Sequence, residues 1–290
     1  MWSDRHKGWS SNDGMKRNPI QGTVSTNMKF ENIRIGIEDS IATLTLNRPE
    51  SLNALDNETL AELAAVLPKL SERTDVRVLV VTGAGRAFCA GGDVKGQPTR
   101  FGWERDRHLS RLRAIHFGVV NSLAHMEKPT LALINGVAAG GGLSLALACD
   151  LRLAGESARF GAGFRRVALA VDMGLSYFLP RAVGSGKALE ILYTGELIDA
   201  EEALRIGLVN RVVPDASLLE EGLSMATSVA SGPPVALGNA KRAVRKGVES
   251  DLDAALELEA ELQSNCLVSE DHREGVEAFL KKREPKFTGK

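Results

Sequence analysis

Residues 131–150 read LALINGVAAGGGLSLALACD, a run of twenty positions in which only the last, Asp150, is charged. Length and lack of charge would suit a membrane span. Asn135-Gly136 and the triplet Gly140-Gly141-Gly142 break it instead into a strand over 131–134, a turn, and an apolar helix over 143–149. Glycines ahead of a helix allow unusual backbone angles and close approach of a ligand to the main chain. The helix start then offers unpaired N–H groups and the positive end of its dipole. No Lys-Ser/Thr pair follows the glycines, which excludes a P-loop. A carbonyl oxygen gaining negative charge, or tight packing of helix on strand, are the readings that remain.

A chain of 290 residues with 43% hydrophobic content can bury a large core. Its net charge of −1 provides no basic field for nucleic acid or anionic membrane, so a small molecule is the expected partner. Cys89, Cys149 and Cys266 lie far apart without metal-ligand spacing, which argues against a metal site and a disulfide framework and for a reducing cytoplasm. Residues 1–27 are polar and aperiodic, fitting neither a signal nor a transit peptide, and are expected to be a disordered tail, with Met28 opening the fold.

Strands are predicted over 33–37 and 41–46, a helix over 59–70 that Pro68 should kink or shorten, and a buried strand over 76–81 running into Gly83-Ala84-Gly85. Phe88 stands where a dinucleotide fingerprint needs Gly or Ala, so that reading is rejected. Residues 97–124 read as a loop and a charged helix whose His108 and His116, with His125 beyond it, are bystanders. Strands over 151–154, 158–161 and 208–213 and helices over 175–183, 186–193 and 199–206 complete a mixed α/β portion. Beyond Pro214 the pattern is wholly helical: 218–230, 234–248, 252–268 and 272–283.

Two glycine turns, FCAGGD ending at Asp93 and AAGGGLS ending at Ser144, each follow a buried strand. With NRPESLNAL at 47–55 and EGVEAFLKKREPKF from Glu274, they resemble the crotonase (enoyl-CoA hydratase/isomerase) superfamily over nearly all of 28–287. The resemblance implies an α/β spiral of ββα turns over 28–213, followed by a helical oligomerisation region over 214–290 that builds a trimer or a dimer of trimers. It implies an acyl-CoA thioester as substrate, CoA being part of that substrate with no separate cofactor. The backbone N–H groups of Gly92 and Gly141 would hold the thioester oxygen. Removing an α-proton leaves an enolate, and each fixed donor of that kind is worth roughly 2.7–4 kcal/mol of barrier. The resemblance also places CoA on the backbone of Ala90, Gly91, Asp93 and Val94, its phosphates on Lys95 and Arg48, and the rest of the pocket on Phe279 and Lys282 of a neighbouring subunit.

Relatives that add water carry a Glu three residues after the oxyanion glycine and another about twenty residues later; here those places hold Ser144 and Phe164. Neither can work as a proton-transfer group at neutral pH without a partner, so Phe164 is expected to shape the pocket and Ser144 to wall it. Asp172, in LAVDMGLSYFLPR, matches the acid of dienoyl-CoA isomerases and of the ring-epoxide isomerase that acts on epoxyphenylacetyl-CoA. It is either the proton carrier or the cap of a helix starting near Met173. Val167, Leu169, Val171, Met173 and Phe178 should surround it with apolar groups, while Arg165 and Arg166 form surface or intersubunit ion pairs. Acyl-CoA isomerisation is therefore the expected activity. The alternatives are a hydratase-type lyase, a CoA-thioester dehalogenase or hydrolase with His116 beside the place of its base, and a non-catalytic acyl-CoA- or RNA-binding relative.

Overall fold

A computed structural model of the protein describes residues 30–290, so the tail expected over 1–27 and the start at Met28 lie outside the described residues. β1 (Ile33–Glu38) and β2 (Ile41–Leu46) form an antiparallel hairpin. α1 (Asn57–Glu72) follows and continues past Pro68, longer than expected. Tertiary bonds explain this. Asp56 accepts from Thr59 N at 2.8 Å at one end, and Lys128 Nζ donates to the carbonyls of Leu70, Ser71 and Arg73 at the other, while Leu67 and Leu70 are fully buried.

From here each turn of chain gives one strand to each of two sheets. β3 (Val78–Gly83) enters the larger sheet and β4 (Ala87–Cys89) the smaller. After α2 (Arg105–Ile115), a π-helical turn at His116–Asn121 and α3 (Ser122–Ala124), β5 (Thr130–Ile134) and β6 (Val137–Ala139) repeat the division. α4 (Gly141–Ala148), β7 (Leu151–Gly155) and β8 (Arg159–Gly161) complete another turn. α5 (Leu175–Val183), α6 (Ser185–Thr194), β9 (Ile198–Asp199), α7 (Ala200–Arg205) and β10 (Arg211–Val213) close both sheets. The larger has the order β1-β2-β3-β5-β7-β10 and the smaller β4-β6-β8-β9. This is the spiral of ββα turns. The last strand is shorter than the predicted 208–213, because Leu208 N and Val209 N bond the carbonyl of Ala203 and finish α7 instead of pairing with a strand.

The larger sheet is covered on both faces, which is why its strands read as continuous apolar runs. Leu79, Val81, Ala132 and Ile134 face the main core; Val78, Val80, Leu131, Leu133 and Leu153 face the second cluster. α8 (Leu218–Ala230) supplies the cover, with Gly222 so close to the sheet that a Cβ would lie 2.4 Å from Leu133 Cδ2. The first helix after residue 214 thus packs on the sheet. α9 (Pro234–Gly247), α10 (Leu252–Leu267) and α11 (Glu270–Lys281) lie outside it, tied to the core where Lys241 and Arg245 each meet Asp150 at 2.7 Å.

Candidate active site

The two glycine turns meet. A Cβ on Gly141 would stand 3.9 Å from the backbone nitrogen of Gly92, and one on Gly91 only 3.3 Å from that of Gly141. Gly91 (φ +95°) and Gly140 (φ +51°) adopt angles that L side chains rarely tolerate. Gly92 N–H donates to no backbone carbonyl among the described residues, although its neighbours Gly91 and Asp93 both bond Leu55. Gly141 opens α4, where an N–H has no partner within the helix. Two donors therefore lie side by side with the dipole of a wholly buried helix behind them. α4 begins two residues before the predicted start, so the triplet divides its labour: Gly140 turns the chain, Gly141 offers its N–H, and Gly142 packs. A Cβ on Gly142 would fall 2.1 Å from the carbonyl oxygen of Cys89.

Asp172 joins this arrangement from the following loop. Its Oδ1 accepts from Met173 N at 2.8 Å and contacts Nε2 of His116, and its backbone carbonyl accepts from the Ser144 hydroxyl at 3.1 Å. The helix-cap reading is corrected: α5 starts at Leu175 behind Gly174 and receives no side-chain cap, because Met173 (φ +52°) and Gly174 (φ +79°) turn the chain sharply before the helix begins. The same turn brings Met173 Sδ to 2.8 Å from where a Gly141 Cβ would stand, so the residue that follows Asp172 packs against the start of α4. The surround is less apolar than predicted, since Val167 and Leu169 are about half exposed.

His116, expected to stand alone on its helix, meets the Asp172 carboxylate. It stands in the π-helical turn, which widens the helix so that Val119 and Val120 are buried while His116 reaches Asp172. No spacing rule links positions 56 residues apart, and the turn type has no sequence signature; the nearness of His116 to the place of a dehalogenase base was the one available hint.

Ser144 is buried and bonded, more than a pocket wall, since it also donates to the Gly140 carbonyl at 3.3 Å. The Phe164 ring lies 3.8 Å from where a Cβ of Gly140 would be, and with Val171, Leu169, Pro180 and Leu192 it lines a cavity of about 600 Å³. Arg48, expected on a phosphate, is taken up within the protein: it pairs with Asp93 at 3.2 Å and Asp56 at 3.3 Å and donates to the Ala54 carbonyl. It braces the loop that carries Gly92. Arg165 and Arg166 form no ion pair among the described residues and donate instead to the carbonyls of Tyr193, Thr194 and Gly195 at the end of α6. Val94 and Lys95 occupy an exposed turn, with Lys95 N bonded to Asp93. Ala90 N and Gly91 O are tied to Leu52 and Leu55. Phe279 (83% exposed) and Lys282 lie on and just after α11, away from this chain's own glycine turns. Burial pushes the Cys89 and Cys149 thiols up to about 12, so neither serves as a nucleophile. Among the described residues no group of three or more His, Cys, Asp or Glu side chains could hold a metal ion, and no helix is long and apolar enough to cross a membrane.

Two backbone N–H groups that meet at the glycine turns, with a carboxylate on a loop bonded to the same helix, are the site's chemical groups. Residues 36–290 match the family described as enoyl-CoA hydratase/isomerase. The chain is 36% identical to a crotonyl-CoA hydratase of Syntrophomonas wolfei (91% of this chain, 100% of the relative). It is 39% identical to the 1,2-epoxyphenylacetyl-CoA isomerase of Escherichia coli (88% and 97%). The crystal structure of an enoyl-CoA hydratase from Bacillus anthracis superposes with a TM-score of 0.85 at 35% identity, covering 90% of this chain and 100% of that one. The chain belongs to the enoyl-CoA hydratase/isomerase family and has the crotonase fold.

Proposed function

We propose that the protein isomerises an acyl-CoA thioester, with Asp172 carrying the proton. The observation that supports this most directly is that the Asp172 loop is tied to the α4 glycine turn, through the Ser144 hydroxyl on the Asp172 carbonyl and through Met173 packed on Gly141, while the two positions where hydratases keep glutamates hold Ser144 and Phe164. Asp172 takes a proton from carbon; the electron pair moves into the thioester carbonyl, and the enolate oxygen rests on the two N–H donors. The same carboxyl returns the proton to a different carbon of the conjugated system. Nothing enters or leaves. A related protein at 39% identity bears an isomerase name, in keeping with this reading.

Addition of water is the second reading, favoured by His116, which gives Asp172 a partner able to polarise a water, and by the hydratase names of several relatives. Incubation with 2-enoyl-, 3-enoyl- and epoxyphenylacetyl-CoA separates the two: isomerisation shifts the ultraviolet spectrum at constant mass, and hydration adds one water. Asp172→Asn should lower turnover by ~10²–10⁴-fold with little change in affinity. Unchanged turnover in that variant would remove Asp172 from the mechanism. We also propose that α9–α11 assemble the chain into a trimer or a dimer of trimers, supported by the exposed Val244, Leu252, Leu256, Phe279 and Leu280. A monomeric mass by light scattering would contradict that. The three free cysteines fit the reducing environment of a cytoplasmic protein.

A further inference from the structure

Two arginines share one neutral partner at the edge of this site. Arg100, in the short turn Pro98–Arg100, donates through Nη1 to Asn57 Oδ1 at 3.2 Å, and Arg111 of α2 donates to the same oxygen through Nε at 3.2 Å and Nη2 at 2.8 Å. Neither guanidinium forms an ion pair among the described residues, whereas Arg48, Lys241, Arg245 and Arg283 each meet a carboxylate. An amide oxygen carries no net charge, so this shared partner does not offset the repulsion between two fixed cations. Arg111 shows the effect: burial first, then the neighbouring charge of Arg100, push its pKa down, and the charge of Asp172 works against them. The surrounding helix deepens the positive field. α2 reads RDRHLSRLRAI, with four arginines against Asp106, which is itself paired with Arg105, in a chain whose net charge is −1.

Planar guanidinium groups held close together suit the two oxygens of a carboxylate or phosphate. Location favours the former. Arg111 lies on α2 five residues before His116, in the same continuing helix, and the His116 ring meets Asp172, which puts the pair near the Asp172 end of the site. We propose that Arg100 and Arg111 form an anion subsite that selects acyl-CoA thioesters whose acyl group carries a second, free carboxylate. The proposal rests on Asp172 marking the acyl end of the site, but binding alone tests it.

The experiment is calorimetric titration of the full chain with the CoA monothioester of hexanedioic acid, with hexanoyl-CoA, and with CoA itself, repeated on Arg100→Met and Arg111→Met. The unmodified protein should bind the dicarboxylic thioester roughly tenfold or more tightly than hexanoyl-CoA, and each variant should lose that preference while its affinity for hexanoyl-CoA stays close to that of the parent. Equal affinity in the unmodified protein overturns the subsite without reference to any variant. Equal weakening of all three ligands by the variants also overturns it, since the arginines would then be holding a phosphate of CoA. A binding preference that survives without turnover on unsaturated analogues would leave the subsite standing and count against the isomerase reading alone.

Discussion

The Ser144 hydroxyl reaches the carbonyl oxygen of Asp172 at 3.1 Å and that of Gly140 at 3.3 Å, so one buried side chain joins the turn that offers the Gly141 N–H to the loop that presents the carboxylate. Where a hydratase keeps an acid, this chain keeps a clasp. Ser144→Ala should remove one of the two donors on the Asp172 carbonyl, Leu175 N at 3.1 Å being the other, costing about 0.5–1.5 kcal/mol of stability. Turnover should fall by roughly tenfold with little change in KM, because a displaced carboxylate loses alignment and not affinity. Melting temperature and steady-state kinetics measured together check this; a variant as stable and active as the parent would refute the clasp.

His116 contacts Asp172, so on the proposed function its loss should resemble misplacement of that carboxylate. His116→Phe removes the polar contact and should reduce kcat by about 10–100-fold, whereas His116→Gln, which can still donate a hydrogen bond, should recover part of it. Equal loss in both would show that the ring's proton chemistry matters beyond orientation.

The glycines differ in what they tolerate. Gly142→Ala drives a Cβ into the Cys89 carbonyl, a backbone atom that cannot swing aside, and should destabilise the fold by several kcal/mol or prevent soluble expression. Gly92→Ala meets nothing within 4 Å and should fold normally. Chemical denaturation of the two variants gives the comparison, and equal midpoints would disprove the packing argument.

Acid sensitivity should register at the start of α1. Burial pushes the Asp56 carboxyl up, but its bonds from Thr59 and the charge of Arg48 outweigh this and hold it below its ordinary value of 3.8. A carboxyl whose pKa is lowered by folding stabilises the protein above that ordinary value, and the contribution disappears as pH falls through the lower, folded one. Asp56→Asn keeps a cap for Thr59 N and loses the charge. It should therefore cost about 0.5–1 kcal/mol near neutrality, and the gap to the parent should close below about pH 3.8. Melting curves of both proteins between neutral pH and pH 3 decide it; a gap independent of pH would exclude the charge.

What the amino-acid sequence determines by itself is whatever local chemistry forces. The run 131–150 has to break at its glycines, and the buried strands announce themselves because both sheet faces are covered, by the core on one side and α8 on the other. Asp172 could be singled out by its motif and so could the two glycine turns. Other features depend on partners remote in the chain, and only the tertiary structure decides them. Pro68 stays within α1 because Lys128, 55 residues beyond Arg73, receives the helix end. Arg48 is withdrawn from solvent because Asp93 comes to lie beside it, and His116 meets Asp172 because one widened helical turn points it there. Local propensity acts over a few residues at a fixed period. Hydrogen bonds and charges between distant segments have no period to betray them, and they exist only once the core has brought those segments together.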